Sequence, residues 1–365
     1  MPEYSFRRAL EAIKPYKKGE DMEEIKAEYG LETIARLMSN ENPYGCSALV
    51  KNAVVKAMNE PSNYPDDYTT APRAAIAKKY NIDKDEIIFG NGTDEIIYFL
   101  GKAFIEEGDE VITGKATFFS YEESVLAMGG KMVYVPMKNH GFDLAGIIEA
   151  ITDKTKMIIV CNPNNPTGTV FHEKEQLEFL ARIPKNIIVV VDEAYAEFYM
   201  GENYPDTFSK INELKNLIIL KTFSKAYGLA SFRIGFAISN KETITMMTRA
   251  KNLFNVSAQA QAAAVAAMED QAFVEMVRLK NYEAIKYLCT RLDSMGISYI
   301  PTHASFIMIE YGSDVREVVK SLLKCGYMVR EGDMFNMPGH IRISIGTREQ
   351  MEGFANALEN IISSL

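Results

Sequence analysis

Ile187-Ile188-Val189-Val190-Val191-Asp192-Glu193-Ala194-Tyr195 sets five consecutive aliphatic residues before two acids and a tyrosine. A strand with one wet face alternates apolar and polar residues. This one does not, so it reads as a strand covered on both faces, as in a mostly parallel sheet between layers of helices. Its neighbours have the same character: Ile87-Ile88-Phe89, Val111-Ile112, Met132-Val133-Tyr134-Val135, Met157-Ile158-Ile159-Val160 and residues 217–220. Intervals of roughly 20–30 residues leave room for crossover helices. One such helix is well marked: Thr93 is placed to cap it, and Ile96, Ile97, Leu100 and Phe104 form its apolar stripe before Gly108.

After about residue 255 the pattern changes. An Ala-rich helix over 258–267 precedes a long helical stretch to about Met295 and a strand near 305–309. A helix over 313–325 stops at Gly326, two strands lie near 327–330 and 341–345, and Thr347-x-x-Gln350 opens a last helix as a capping box. The expectation is an α/β chain with a large sheet domain, a smaller C-terminal domain, and N-terminal residues able to pack with the latter.

The chain has 365 residues, 47% hydrophobic and 24% charged, which excludes disorder. Its 40 basic and 49 acidic residues give a net charge of −9 with no Lys/Arg run, a poor match to nucleic acid or anionic membranes. Cys46, Cys161, Cys289 and Cys325 form no CxxC pair, and His140, His172, His303 and His340 are equally scattered, so neither a zinc site nor a disulfide framework is expected. No apolar run approaches the roughly 18–20 residues of a membrane span. Met1-Pro2-Glu3-Tyr4 leads into a charged stretch unlike a signal peptide, so a soluble cytoplasmic protein is expected.

Four candidate sites lie at the ends of the apolar runs, where open α/β sheets bind ligands. Gly90-Asn91-Gly92-Thr93-Asp94-Glu95 follows a strand and opens a helix, a place for a phosphate on free N–H groups. Read alone, it also fits an ordinary glycine turn, and its two acids must point away from any anion. Asn162-Pro163-Asn164-Asn165-Pro166-Thr167-Gly168 is a rigid loop able to aim an amide, or a tight surface turn. Asp192 ends a buried strand, where a carboxylate is costly unless it meets a cation or caps a helix. Lys221-Thr222-Phe223-Ser224-Lys225, followed by Arg233, offers hydroxyls and a guanidinium for a phosphate. An amine among other cations can form a Schiff base with a carbonyl, although a single lysine is usually only a solvated charge. Together these features match pyridoxal 5′-phosphate: phosphate, pyridinium nitrogen, phenolate oxygen and aldehyde.

Over essentially its whole length the chain resembles the fold-type I, pyridoxal-phosphate-dependent aminotransferases, and more narrowly the histidinol-phosphate aminotransferase family. Ser39-Asn40-Glu41-Asn42-Pro43-Tyr44-Gly45, Tyr64-Pro65-Asp66, Arg233-Ile234-Gly235 and Pro338-Gly339-His340-Ile341-Arg342-Ile343-Ser344-Ile345-Gly346 join the stretches above in family order. The resemblance implies an N-terminal arm over 1–39 packing with the small domain, a large cofactor domain over 40–255 and a small domain over 256–365. It implies that Lys225 binds the cofactor's aldehyde and moves the proton, that Asp192 pairs with the ring nitrogen, and that Tyr195 and Asn165 bond the phenolate oxygen. Thr222, Ser224, Arg233 and the N–H groups of Thr93 and Asp94 would hold the phosphate, Phe118 would stack on the ring, and Tyr64 would reach across from a second subunit of a homodimer. Arg342 would grip the substrate anion, with Arg330, Tyr16 and Asn42 beside it, and no metal is implied. The implied reaction is ping-pong transfer from histidinol phosphate to 2-oxoglutarate in histidine biosynthesis. An aromatic amino-acid aminotransferase and a threonine-phosphate decarboxylase are the rivals, and Ala116, Phe118 and Phe232 depart from the usual pattern.

Overall fold

The computed structural model describes residues 7–13, 21–312 and 315–364. Its strands in chain order are β1 (Ala35–Arg36), β2 (Ile87–Gly90), β3 (Glu110–Gly114), β4 (Lys131–Val135), β5 (Thr155–Cys161), β6 (Ile188–Asp192), β7 (Leu217–Thr222), β8 (Gly235–Ile238), β9 (Ser298–Ile300), β10 (Phe306–Glu310), β11 (Tyr327–Met328), β12 (Arg330–Glu331) and β13 (His340–Ser344). Seven of them form one sheet in the order β2-β8-β7-β6-β5-β3-β4. Neighbours run parallel except at β8, which is antiparallel to both β2 and β7. The 223–234 connection into β8 contains only the 3-10 turn Ala230–Phe232 and no crossover helix, so the chain doubles back.

Burial on both faces accounts for the unbroken apolar runs. Val190, Ile218 and Leu220 pack toward helices Thr93–Phe104, Ser120–Ala127 and Lys241–Ala250. Their strand neighbours Val189, Val191 and Ile219 pack the opposite way, into the core that takes in helices Glu173–Arg182 and Ala258–Glu269. Fully burying each such side chain contributes roughly 1.5–3 kcal/mol. Helix Thr93–Phe104 starts differently from the sequence reading. Its N-cap is Gly92 at φ 79°, and Thr93 is the first helical residue, making no side-chain cap. The tight glycine turn brings the backbone straight from β2 into the helix.

A second, antiparallel sheet has the order β12-β13-β10-β9. It is covered by the C-terminal half of helix Gln271–Ser294 and by helices Val315–Lys324 and Arg348–Ser364. Thr347 and Gln350 exchange the expected capping-box bonds at the start of the last helix. Ala260, Ala263, Val274 and Val277 belong to one core, and Ala284, Leu288 and Leu292 to the other, so helix Gln271–Ser294 runs from one core to the other, while Ala304 and Phe306 return to the first. The N-terminal residues also touch both bodies: β1 pairs in parallel with β11, whereas the turn Arg8–Ala12 lies against helix Ser120–Ala127.

Candidate active site

Strands β5, β6 and β7 lie side by side and finish at Cys161, Asp192 and Thr222, and these ends open into a cavity of ≈ 330 Å³. Asp192 is 3% exposed. Its Oδ1 accepts the Ala194 N–H at 3.0 Å and its Oδ2 the Tyr121 hydroxyl at 2.7 Å. Burial is the largest influence and pushes this carboxyl up to about 6, against the lowering effect of those two donors. Among the described residues the carboxylate thus has hydrogen bonds but no ion pair, Lys221 acting on it only from a distance. Tyr195 is buried one turn further on. Its hydroxyl accepts from the Asn40 amide at 2.9 Å, which leaves its own proton free to donate.

Lys225 projects from the loop after β7, its Nζ donating to the Ser39 carbonyl at 3.0 Å. Burial first, and then Arg342 nearby, push its amine down to about 8, where a neutral nucleophile is available close to neutral pH. Beside it the Thr222 hydroxyl accepts from the Ser224 N–H at 3.0 Å. Arg233, at φ 52°, reaches the first turn of helix Thr93–Phe104, where its Nη2 meets the Asp94 carboxylate at 3.1 Å. A Cβ on Gly92 would meet that guanidinium at 2.6 Å, so the glycine keeps the turn open to the arginine. Asp94 thus faces its cation, and the carboxylate of Glu95 accepts the Asn91 N–H at 2.6 Å. The helix N-terminus is left to an anion.

Arg342 lies opposite, on β13, 5% exposed. It donates to Asn165 Oδ1 at 2.6 Å and to the Met38 carbonyl at 2.7 Å, over the rings of Phe335 and Phe306. Its Nε is buried without a partner. Burial, opposed by Tyr195 and reinforced by Arg330, its direct cross-strand neighbour, pushes Arg342 down to about 10. Like charges facing each other across a ladder destabilise a sheet. No carboxylate pairs with either arginine among the described residues. Two guanidiniums and an orphaned donor therefore await an anion.

The cavity wall brings together Thr93, Asp94, Phe118, Asn165, Asp192, Tyr195, Thr222, Ser224, Lys225, Arg233, Arg330 and Arg342. It does not include Asn42. That side chain donates to the Ala226 carbonyl at 2.9 Å and accepts the Tyr44 N–H at 3.0 Å, so the loop backbone uses both of its ends. Tyr64 lies outside its own chain's cavity, 82% exposed and stacked on Phe254 at 4.6 Å. Tyr16 falls outside the described residues. The sequence reading missed Tyr121 and the amide role of Asn40. Both partnerships are long-range; the quoted motif containing Asn40 was a hint to one of them, and nothing quoted pointed to Tyr121. Both Asn162-Pro163 and Asn165-Pro166 are cis.

These features fit the pyridoxal phosphate group of the sequence reading: an amine for its aldehyde, a buried carboxylate lacking a cation, and a glycine-lined cradle with Arg233. The comparisons point the same way. The chain is 38% identical over 356 residues to a histidinol-phosphate aminotransferase of Anoxybacillus flavithermus, spanning 98% of this chain and 96% of that protein. It is 40% identical over 358 residues to one of Moorella thermoacetica, spanning 98% and 93%. A histidinol-phosphate aminotransferase of Sinorhizobium meliloti, solved in complex with pyridoxal 5′-phosphate, superposes with a TM-score of 0.90 at 27% identity over 98% of both chains. Thermus thermophilus aspartate aminotransferase with maleate superposes at 0.85 and 25%, over 99% of this chain and 100% of that one. The model of the class I and II aminotransferases matches residues 32–358, and the chain belongs to that family.

Proposed function

We propose that this protein is a pyridoxal-phosphate-dependent aminotransferase that carries the amino group of histidinol phosphate to 2-oxoglutarate, giving imidazole acetol phosphate and glutamate for histidine biosynthesis. The observation that carries the reading is the unpaired polarity of one cavity, with Lys225 and Asp192 on one side and the Arg342–Arg330 pair on the other. Relatives named for this substrate along nearly the full chain support it.

When bound, pyridoxal phosphate supplies an aldehyde and a ring that takes up the electron pair released at the substrate Cα. Lys225 would hold the aldehyde, and its amine, already lowered toward neutrality, would serve as the base that takes up and returns the proton of the substrate Cα. Asp192 would keep the ring nitrogen protonated, and that cation would offset the cost of the carboxylate's burial. Tyr195 would donate its hydroxyl proton, and Asn165 its amide N–H, to the phenolate oxygen. Thr222, Ser224, Arg233 and the N–H groups of Thr93 and Asp94 would hold the phosphate, and Phe118 would cover the ring. Arg342 and Arg330 take a phosphate monoester and a carboxylate in turn, because a planar guanidinium fork matches either anion. The exposed Tyr64 supports a homodimer in which it completes the neighbour's phosphate site. A cytoplasmic setting goes with this biosynthetic role, and among the described residues no helix is long and apolar enough to cross a membrane.

The test is spectroscopic. Mixed separately with histidinol phosphate, phenylalanine, tyrosine and threonine phosphate, the loaded enzyme should lose its visible band fastest with histidinol phosphate and pass the amine to 2-oxoglutarate. Fastest bleaching by an aromatic amino acid, or carbon dioxide release from threonine phosphate, would replace the proposed substrate.

A further inference from the structure

Tyr121 is the second residue of helix Ser120–Ala127 and is 1% exposed. It does not line the cavity, yet it touches two residues that do. Its hydroxyl donates to Asp192 Oδ2 at 2.7 Å, and its ring meets Phe118 edge-on, with centroids 5.6 Å apart and planes at 84°. We propose that Tyr121 is a positioning residue for transamination, aiming the Asp192 carboxylate with its hydroxyl and setting the plane of Phe118 with its ring. The inference rests on the reading above, in which Asp192 faces the ring nitrogen and Phe118 covers the ring.

A carboxylate held by one donor can still rotate about its χ2. Asp192 has two donors on different oxygens, Tyr121 from the helix layer and the Ala194 N–H from its own loop. Each oxygen keeps a free lone pair for a guest in the cavity. The direction of the first bond is fixed. Burial, reinforced by Asp192, pushes the Tyr121 phenol far up, so it stays protonated and serves as the donor. The other ionisable groups acting on Asp192 cannot replace it. Cys161 on β5 donates to the Pro163 carbonyl and also lies in hydrogen-bond contact with the Tyr121 hydroxyl, Asp94 on helix Thr93–Phe104 is a like charge paired with Arg233, and Lys221 on β7 is taken by Glu197 and Glu193. A ring that merely filled the core would need no hydroxyl aimed at a buried acid.

Tyr121→Phe separates the two roles, since it keeps the ring against Phe118 and removes the donor. In cofactor-free protein, the Asp192 titration, followed by NMR on labelled aspartate and assigned with Asp192→Asn, should move upward by about one pH unit or more. In the loaded enzyme the pH at which the visible band changes should shift, and kcat should fall with KM little altered. In an Asp192→Asn background the same substitution should leave the band unchanged. A folded Y121F protein with an unmoved Asp192 titration and band overturns the proposal. Should Y121F not fold, the wild type decides. Its Tyr121 hydroxyl proton should be protected from exchange and follow the Asp192 titration, and a hydroxyl proton that ignores that titration overturns the proposal. Borohydride labelling of wild-type Lys225 is the separate control. No label there refutes the cofactor reading itself, whereas a label with an unmoved Asp192 in Y121F refutes only the role of Tyr121.

Discussion

Lys221 and Lys225 are four residues apart and live in opposite surroundings. Lys221 is 4% exposed inside the sheet. Its amine meets Glu197 at 2.7 Å and Glu193 at 3.8 Å, and these two carboxylates overcome the cost of burial and raise its pKa. Lys225 opens into the cavity, its amine donating to the Ser39 carbonyl, and burial first and then Arg342 push it down to about 8. Their partners divide in the same way. Glu193 has Lys221 and the Thr207 hydroxyl, whereas Asp192, the residue before it at the end of the strand, has two donors and, among the described residues, no ion pair. Where the chain supplies the counter-charge, a buried ion is structure. Where it withholds it, the site waits for a ligand to complete it.

The sharpest way to break this contrast is Lys225→Met. Transamination should fall by at least about 10³-fold, while thermal stability should hold or rise, because an unpaired buried amine is removed. A marked loss of stability would place Lys225 in the same class as Lys221. Arg342→Ala comes next. KM for histidinol phosphate and for 2-oxoglutarate should both rise by about ten- to a hundredfold, from the loss of charged hydrogen bonds. Weakening of one substrate alone would separate the two anion seats. Lys221→Met reverses the Lys225 result. Denaturant unfolding should show a loss of about 3–5 kcal/mol, because Glu193 and Glu197 are left buried without their cation, while the folded fraction keeps its turnover.

The smallest effect is in pH. The Lys225 amine titrates near 8 in the folded chain against 10.5 for the free side chain. Between those values the unfolded chain binds more protons, so the contribution of Lys225 to stability rises from pH 8 to 10.5 and is lost as pH falls through 8. The melting temperature of cofactor-free wild type, relative to Lys225→Met, should climb across that window. A flat difference would show that Lys225 is solvated like any surface lysine.

Much of the fold was legible because double burial leaves a mark that needs no partner. The run from Ile187 to Val191 cannot sit on a half-wet surface, and the ends of such runs indicated where ligands bind. β8 escaped because it is four residues long and follows directly on Arg233-Ile234, so its apolar residues read as part of a phosphate motif. The helix start went to Thr93 on side-chain preference, although the positive φ of Gly92 decides it. The Tyr121–Asp192 and Asn40–Tyr195 bonds span 71 and 155 residues, distances at which periodicity carries no signal. Residues that shape the cavity from one segment were readable. Those that hold its shape from behind were not.

Of the two buried amines, the one without a counter-charge should take the aldehyde. Borohydride reduction of the pyridoxal-phosphate-loaded protein, followed by peptide mapping, tests it most directly. The phosphopyridoxyl label should appear on Lys225 and not on Lys221. A label on another lysine, or an unlabelled Lys225 in fully loaded protein, contradicts it.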